Sequence, residues 1–83
     1  MSYSSPIFDR YSDTQEKILF YLKTGADKGN HYFKSKYIAR ELGLSAKEVG
    51  INLAILSQTC DELEICKWSY SNSTTWRVIP RVG

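Results

Sequence analysis

The chain has 83 residues, is 42% hydrophobic and 24% charged, and carries a net charge of +2. That length gives one domain with one small core, and the composition is that of an ordinary globular chain. No apolar run approaches the ~20 residues of a membrane span, the N-terminus has neither the basic nor the apolar region of a secretory leader, and a charge of +2 is too small to imply nucleic acid by itself. The expectation is therefore a cytoplasmic protein with no membrane contact. Two Trp, six Tyr and three Phe supply the large burial per residue that a small core needs.

Residues 1–11 read as an N-terminal arm. Pro6 and the serines oppose regular structure, whereas Ile7, Phe8 and Tyr11 are too apolar for a free tail. A helix starts at Ser12 or Asp13, with Gln15 or Glu16 at the capping-box position. Ile18, Leu19 and Leu22 form its buried face, and Phe20 and Tyr21 point elsewhere. Together with Ile7, Phe8 and Tyr11, those two rings make an apolar surplus that predicts a homodimer. Gly25 is expected to end the helix. The loop over residues 25–30 has glycines at 25 and 29 but lacks the Lys-Ser/Thr of a phosphate loop. Residues 31–34 are a short aromatic strand, placed to pair with a later hairpin.

Residues 35–57 organise the chain. Ser35 is read as the cap of a helix whose inner face is Ile38, Ala39 and Leu42. Gly43 follows directly, where a helix needs a residue that tolerates left-handed angles, and Leu44 plugs the corner. Ser45 caps the next helix, and Glu48 three residues on completes a capping box. Val49, Leu53, Leu56 and Cys60 then form one narrow apolar stripe. Helix, glycine turn and capped helix make the helix-turn-helix pattern. A plain helical hairpin that only packs a core is the alternative.

Three acids, Asp61, Glu62 and Glu64, oppose the helix dipole, so fraying and no continuation beyond Leu63 are expected. From Ile65 to Ile79 the period changes to two. Cys66, Trp68 and Tyr70 alternate with Lys67 and Ser69, and Trp76 and Val78 alternate with Thr75, Arg77 and Ile79. Residues 71–74 are turn-prone, so this is a β-hairpin. With Tyr70 opposite Thr74, Trp68 faces Trp76 and Lys67 faces Arg77, giving one aromatic and one basic face; a two-residue loop breaks both pairings. Pro80 stops the second strand. Cys60 and Cys66 read as structural thiols rather than a zinc site, since two cysteines and the distant His31 lack the paired ligand spacing. No cofactor site is evident, and a single histidine outside any catalytic constellation excludes most enzyme chemistry.

Two stretches carry a resemblance: Lys34-Ser-Lys-Tyr-Ile-Ala-Arg-Glu-Leu-Gly-Leu-Ser-Ala-Lys-Glu-Val-Gly, and the later Ser-Thr-Thr-Trp-Arg-Val. The chain resembles prokaryotic winged helix-turn-helix proteins, in particular small archaeal ones of uncharacterised function. The resemblance implies an α+β fold with three helices and a small antiparallel sheet. The winged-helix domain would cover residues 12–79, its wing 65–78, with a tail over 80–83. It further implies that residues 46–60 form a recognition helix in a transcriptional regulator of double-stranded DNA. The side opposite the apolar stripe is Lys47, Ile51, Ala54 and Gln58, with Gly50 flanking. Lys47 would meet a phosphate, Ile51 and Ala54 thymine methyls, and Gly50 would let the backbone approach. Lys34, Lys36, Arg40, Ser45, Lys47, Ile51, Lys67 and Arg77 are the expected DNA contacts. Gln58 alone on that face has the polar chemistry of strong base readout. A protein-interaction module using Gly50, Ile51, Ala54 and Ile55 is the second expectation.

Overall fold

The computed structural model describes residues 11–69 and 74–81. The first helix, α1, runs Asp13–Asp27 and begins at a capping box. The Gln15 amide donates to Ser12 Oγ at 3.1 Å, and the Ser12 amide donates to Gln15 Oε1 at 3.1 Å. Ile18, Leu19, Leu22 and Ala26 are its buried face.

Gly25 does not end α1. It lies inside the helix, and a Cβ added there would stand 2.6 Å from Phe33 Cζ. The glycine makes room for a core ring, and the chain reverses later, at Gly29 with φ +93°. Tyr21 packs edge-on to Phe33 at 5.9 Å between centroids, so only Phe20 of the expected surplus pair is fully outward.

The strand β1 covers Tyr32–Lys34 and leads directly into α2, Ser35–Leu42. Ser35 is not the cap: Lys34 holds that position and makes no side-chain capping bond. Ser35 is the first helical residue and is buried, with its Oγ accepting a 2.9 Å hydrogen bond from the Trp76 indole. Its amide donates to the Thr74 carbonyl at 3.0 Å. A buried indole N–H needs a partner, and that requirement explains the serine.

Ile38 and Ala39 of α2 are buried, and Leu42 packs against the core. Gly43 terminates α2 in the left-handed conformation, φ 71°, while the Leu44 amide reaches back to the Ala39 carbonyl at 2.8 Å. Ser45 then caps α3, Ala46–Thr59, through the expected box: the Glu48 amide donates to Ser45 Oγ at 3.0 Å and the Ser45 amide to Glu48 Oε1 at 3.2 Å. Val49, Leu53 and Leu56 are wholly buried, and Cys60, just past the end, nearly so. Asn52 ties α3 to α1, accepting from Gln15 Nε2 at 3.1 Å.

The helix stops at Thr59, earlier than the sequence pattern suggests. Cys60 is already extended, and β2, Leu63–Ser69, starts before Ile65. The acids therefore lie beyond the helix end rather than within its last turn. Glu62 instead pairs with Lys23 of α1. The last strand, β3, is Thr75–Pro80.

The three strands form an antiparallel sheet in the order β1-β3-β2. Its inner face brings Phe33, Leu63, Ile65, Trp76 and Val78 onto the helices, in one core with Ile18, Leu22, Ile38, Leu53 and Leu56. The architecture is α+β, three helices with a small three-stranded antiparallel sheet, compatible with winged-helix topology.

The hairpin register agrees with the expected one next to the turn, at Ser69 and Thr75, and departs from it beyond. Ile65 pairs with Val78, Cys66 with Arg77 and Lys67 with Trp76; then a bulge intervenes, and Ser69 pairs with Thr75. Trp68 is the extra residue. Thus Trp68 does not face Trp76, and Lys67 does not face Arg77. Paired residues share a sheet face, so Lys67 lies on the side of Trp76 and Arg77 on the other. The arm at 1–10, with Ile7 and Phe8, the hairpin turn at 70–73 and residues 82–83 lie outside the described residues; Tyr11 packs against the core.

Candidate functional site

The candidate surface on α3 follows from the position of its stripe. Val49, Leu53 and Leu56 turn one side inward, which leaves Lys47, Ile51, Ala54, Ile55 and Gln58 exposed, with Gly50 half-buried. Ile51 is 52% exposed and Ile55 44%, one turn apart. A Cβ at Gly50 would meet nothing within 4 Å, so that flank of the helix is open. The face is mostly apolar, with its single cation, Lys47, in the first turn.

Each other expected contact can now be placed. Lys36 and Arg40, exposed on α2, flank the Tyr37 ring at 5.4 and 5.1 Å from its centroid. Ser45 is engaged in its capping box at the start of α3, which brings Lys47 into the first turn of the helix. Lys67 is exposed, and its Nζ lies 5.7 Å from the Trp76 ring centroid.

Arg77 was expected to be exposed beside Lys67 on one outward face of the hairpin, and it is not. It is half-buried on the opposite face, its guanidinium 5.2 Å from the Trp68 ring centroid. Lys34, paired with Thr75 two residues along β1 from Tyr32, shares that outer face with Arg77. The eight residues thus do not form one patch. Lys36, Arg40, Ser45, Lys47 and Ile51 belong to the helix-turn-helix, Lys67 to the inner edge of the hairpin, and Lys34 and Arg77 to the outer sheet face.

Sequence reasoning missed that outer face as a unit. Tyr32 and Trp68 meet there with ring centroids 5.6 Å apart, and they are 49% and 56% exposed. The aromatic content was visible in the sequence; the juxtaposition depends on β1 pairing with β3 and on the bulge at Trp68.

Other features are less specific. Phe20 is 73% exposed and lines a shallow hollow with Tyr21, Phe33 and Leu42. Cys60 and Cys66 carry free thiols, the first buried and the second half-buried. Among the described residues, no group of three His, Cys, Asp or Glu side chains is placed to hold a metal, and no helix is long and apolar enough to cross a membrane. His31 is engaged structurally, its Nδ1 donating to the Val78 carbonyl at 3.0 Å.

Fold and surface together define a small α+β domain with two faces that carry exposed large side chains, one on α3 and one on the sheet. The family described as Domain of unknown function (DUF7123) matches residues 1–80, and the chain belongs to that family. No curated protein and no solved structure matches the chain.

Proposed function

We propose that this chain is a winged-helix DNA-binding protein, a cytoplasmic transcriptional regulator that lays α3 against duplex DNA. The observation that carries this reading is the helix-turn-helix itself. Gly43 and the Ser45 box fix the angle between α2 and α3. The capped α3 keeps Lys47, Gly50, Ile51, Ala54 and Gln58 on its open side. In the major groove, Lys47 would take a phosphate, Gly50 would allow close backbone approach, and Ile51 and Ala54 would touch thymine methyls. Lys36 and Arg40 on α2 and Lys67 on the hairpin supply further phosphate contacts. Few base-edge donors stand on this face, so the binding is led by phosphate and shape. It is a binding role and not an enzymatic one, consistent with the single histidine engaged by a backbone carbonyl.

The test is duplex binding against salt. Each phosphate contact adds about −0.9 to the slope of log affinity on log salt, so three to four contacts predict roughly −3 to −4. A chain that binds random duplex DNA with no salt dependence, or not at all in low salt, overturns the reading.

A second reading has its own observation. Ile51 and Ile55 are both about half exposed, and with Gly50 and Ala54 they form a small apolar patch suited to a protein contact. A homodimer, through this patch or through Phe20, belongs to the same reading. Sedimentation of the wild type and of Ile51→Glu tests it: self-association that the substitution abolishes, in a chain that ignores DNA, puts the protein-interaction module first.

A further inference from the structure

The outer face of the sheet is the part of the molecule that neither reading uses. It is built by the register. Tyr32 pairs with Arg77, and Lys34 pairs with Thr75, which places Tyr32, Lys34, Thr75 and Arg77 on one side. The bulge brings Trp68 to the same side, where it meets both Tyr32 and Arg77. The two rings keep about half their surface in solvent. Exposed aromatic side chains in contact on a sheet leave apolar ring area in water, which is unfavourable unless something covers it.

Among the described residues, the cations on this face have no acidic partner: no carboxylate pairs with Lys34 or Arg77, and the buried Arg77 Nε has no hydrogen-bond acceptor. Glu64, two residues before Cys66 in β2 and paired with Ile79, lies at the far end of the same face. The end toward the wing is therefore aromatic and positive, and its complement is a planar ring system carrying negative charge. The Tyr32 and Trp68 rings are inclined at 60° to each other, so each offers its own exposed ring area. Paired bases are buried in the duplex and present only their edges, so exposed rings of this kind take unpaired bases.

We propose that the outer sheet face is a stacking platform for single-stranded DNA, with Trp68 and Tyr32 taking unpaired bases and Arg77 and Lys34 taking the adjoining phosphates. Stacking is tolerant of base identity because every base has a π-face. The guanidinium against Trp68 holds the ring in place and adds a cation to the same spot. The platform stands on its own geometry; the choice of DNA over RNA rests on the duplex-binding reading above.

The experiment uses the full chain and a labelled oligothymidine of about fifteen nucleotides, within the ~4–16 nucleotides that such single-strand sites take and ample to reach both rings and both cations. Binding is read by anisotropy and by quenching of tryptophan emission. Trp76 is 2% exposed and Trp68 56%, so quenching reports Trp68. Wild type should bind with quenching. Trp68→Ala should weaken binding by about 5- to 100-fold, the loss of one stacked base, while Trp68→Phe retains most of the affinity and loses the quenching. Circular dichroism and thermal melting establish that both variants fold.

Lys47→Ala should weaken duplex binding and leave oligothymidine binding within about twofold. If duplex binding fails while oligothymidine binding stands, only the proposed function falls. The platform is overturned if folded Trp68→Ala binds oligothymidine like the wild type. It is also overturned if Trp68→Ala weakens duplex and single strand by the same factor. Binding of oligouridine without oligothymidine overturns the assignment to DNA. A dimer that Trp68→Ala dissociates shows that a second copy, not a nucleic acid, covers the face.

Discussion

The open side of α3 and the outer side of the sheet both carry exposed large side chains, yet they are made of different groups. The α3 face has one cation and short or branched apolar side chains on a projecting rod. The sheet face has two large rings, inclined at 60° to each other, and two cations. A rod with small side chains can enter a groove, where its backbone comes close to base edges. Aromatic rings spread over a sheet cannot enter a groove, but an exposed ring can replace a stacking neighbour. Both surfaces are backed by the same core, so the residues that hold the fold and those offered to partners alternate along single elements. Trp76 and Trp68 belong to one hairpin, and Leu53 and Ile51 to one helix. Substituting within such pairs tests the contrast directly.

The largest effect is expected at the two tryptophans. Trp76 is buried at the junction of the sheet, α2 and the core, and its indole is held by Ser35. Trp76→Ala should cost about 3–5 kcal/mol, most of what a small domain has, and the protein should be largely unfolded. Trp68→Ala loses a tilted ring contact and a cation–π contact, about 1 kcal/mol in all. Urea denaturation measures both. Comparable losses would mean that Trp68 is part of the core and that the platform is a structural feature only.

Next is α3. Leu53 is wholly buried and Ile51 is half exposed. Leu53→Ala should cost roughly 2–5 kcal/mol by leaving a cavity, whereas Ile51→Ala should stay within about 0.5 kcal/mol, as surface changes usually do. Equal losses would put Ile51 in the core and remove the apolar centre of the proposed contact face.

These contrasts also mark what a sequence can reveal. The face assignment of α3 was legible because it depends on a local period: once Val49, Leu53 and Leu56 are inside, Lys47, Ile51 and Gln58 must be outside. Gly43 and the Ser45 box were legible for the same reason, since capping involves residues within one turn. Three features were not. Gly25 reads as a helix stop, but its role is to leave room for Phe33, a residue eight positions on. Ser35 reads as a cap, but its partner is Trp76, 41 positions away. The hairpin register turns on a single bulged residue, and alternation alone does not show where a bulge falls. The α3 part of the candidate site was therefore visible in advance. The hairpin part was not, because one bulge separates Lys67 from Arg77.

The two serines offer a smaller and sharper comparison. Sequence gives them the same role. Ser35→Ala should leave the buried Trp76 indole without an acceptor, a loss of about 1–3 kcal/mol. Ser45→Ala removes an exposed N-cap bond, worth about 1 kcal/mol. The identity of the replacement separates the mechanisms. Asp is a good cap and should rescue position 45; at position 35 it brings a charge into a buried site, which is costly. Urea denaturation of the four variants decides the matter. Rescue of position 35 by Asp would show that Ser35 is a cap after all.

The smallest effect is electrostatic and concerns Lys67 and Arg77. Had they faced each other across the hairpin, they would act as a pair, and removing both would flatten the duplex salt slope by about two units. The register places them on opposite sides of the sheet. Lys67 is exposed beside the Trp76 ring, on the face that packs against the helices, and can contribute to a duplex contact shared with α3. Arg77 is half-buried against Trp68, away from that side. Lys67→Ala should therefore flatten the slope by roughly 0.9, and Arg77→Gln should leave it unchanged. The glutamine keeps a planar polar end against the ring, so the sheet should remain folded. The measurement is duplex affinity for both variants at several salt concentrations. If Arg77→Gln flattens the duplex slope as much as Lys67→Ala, the outer sheet face also meets the duplex, and the two faces form one surface in the complex. If only Lys67→Ala does so, the bulge at Trp68 is what divides the hairpin between two surfaces.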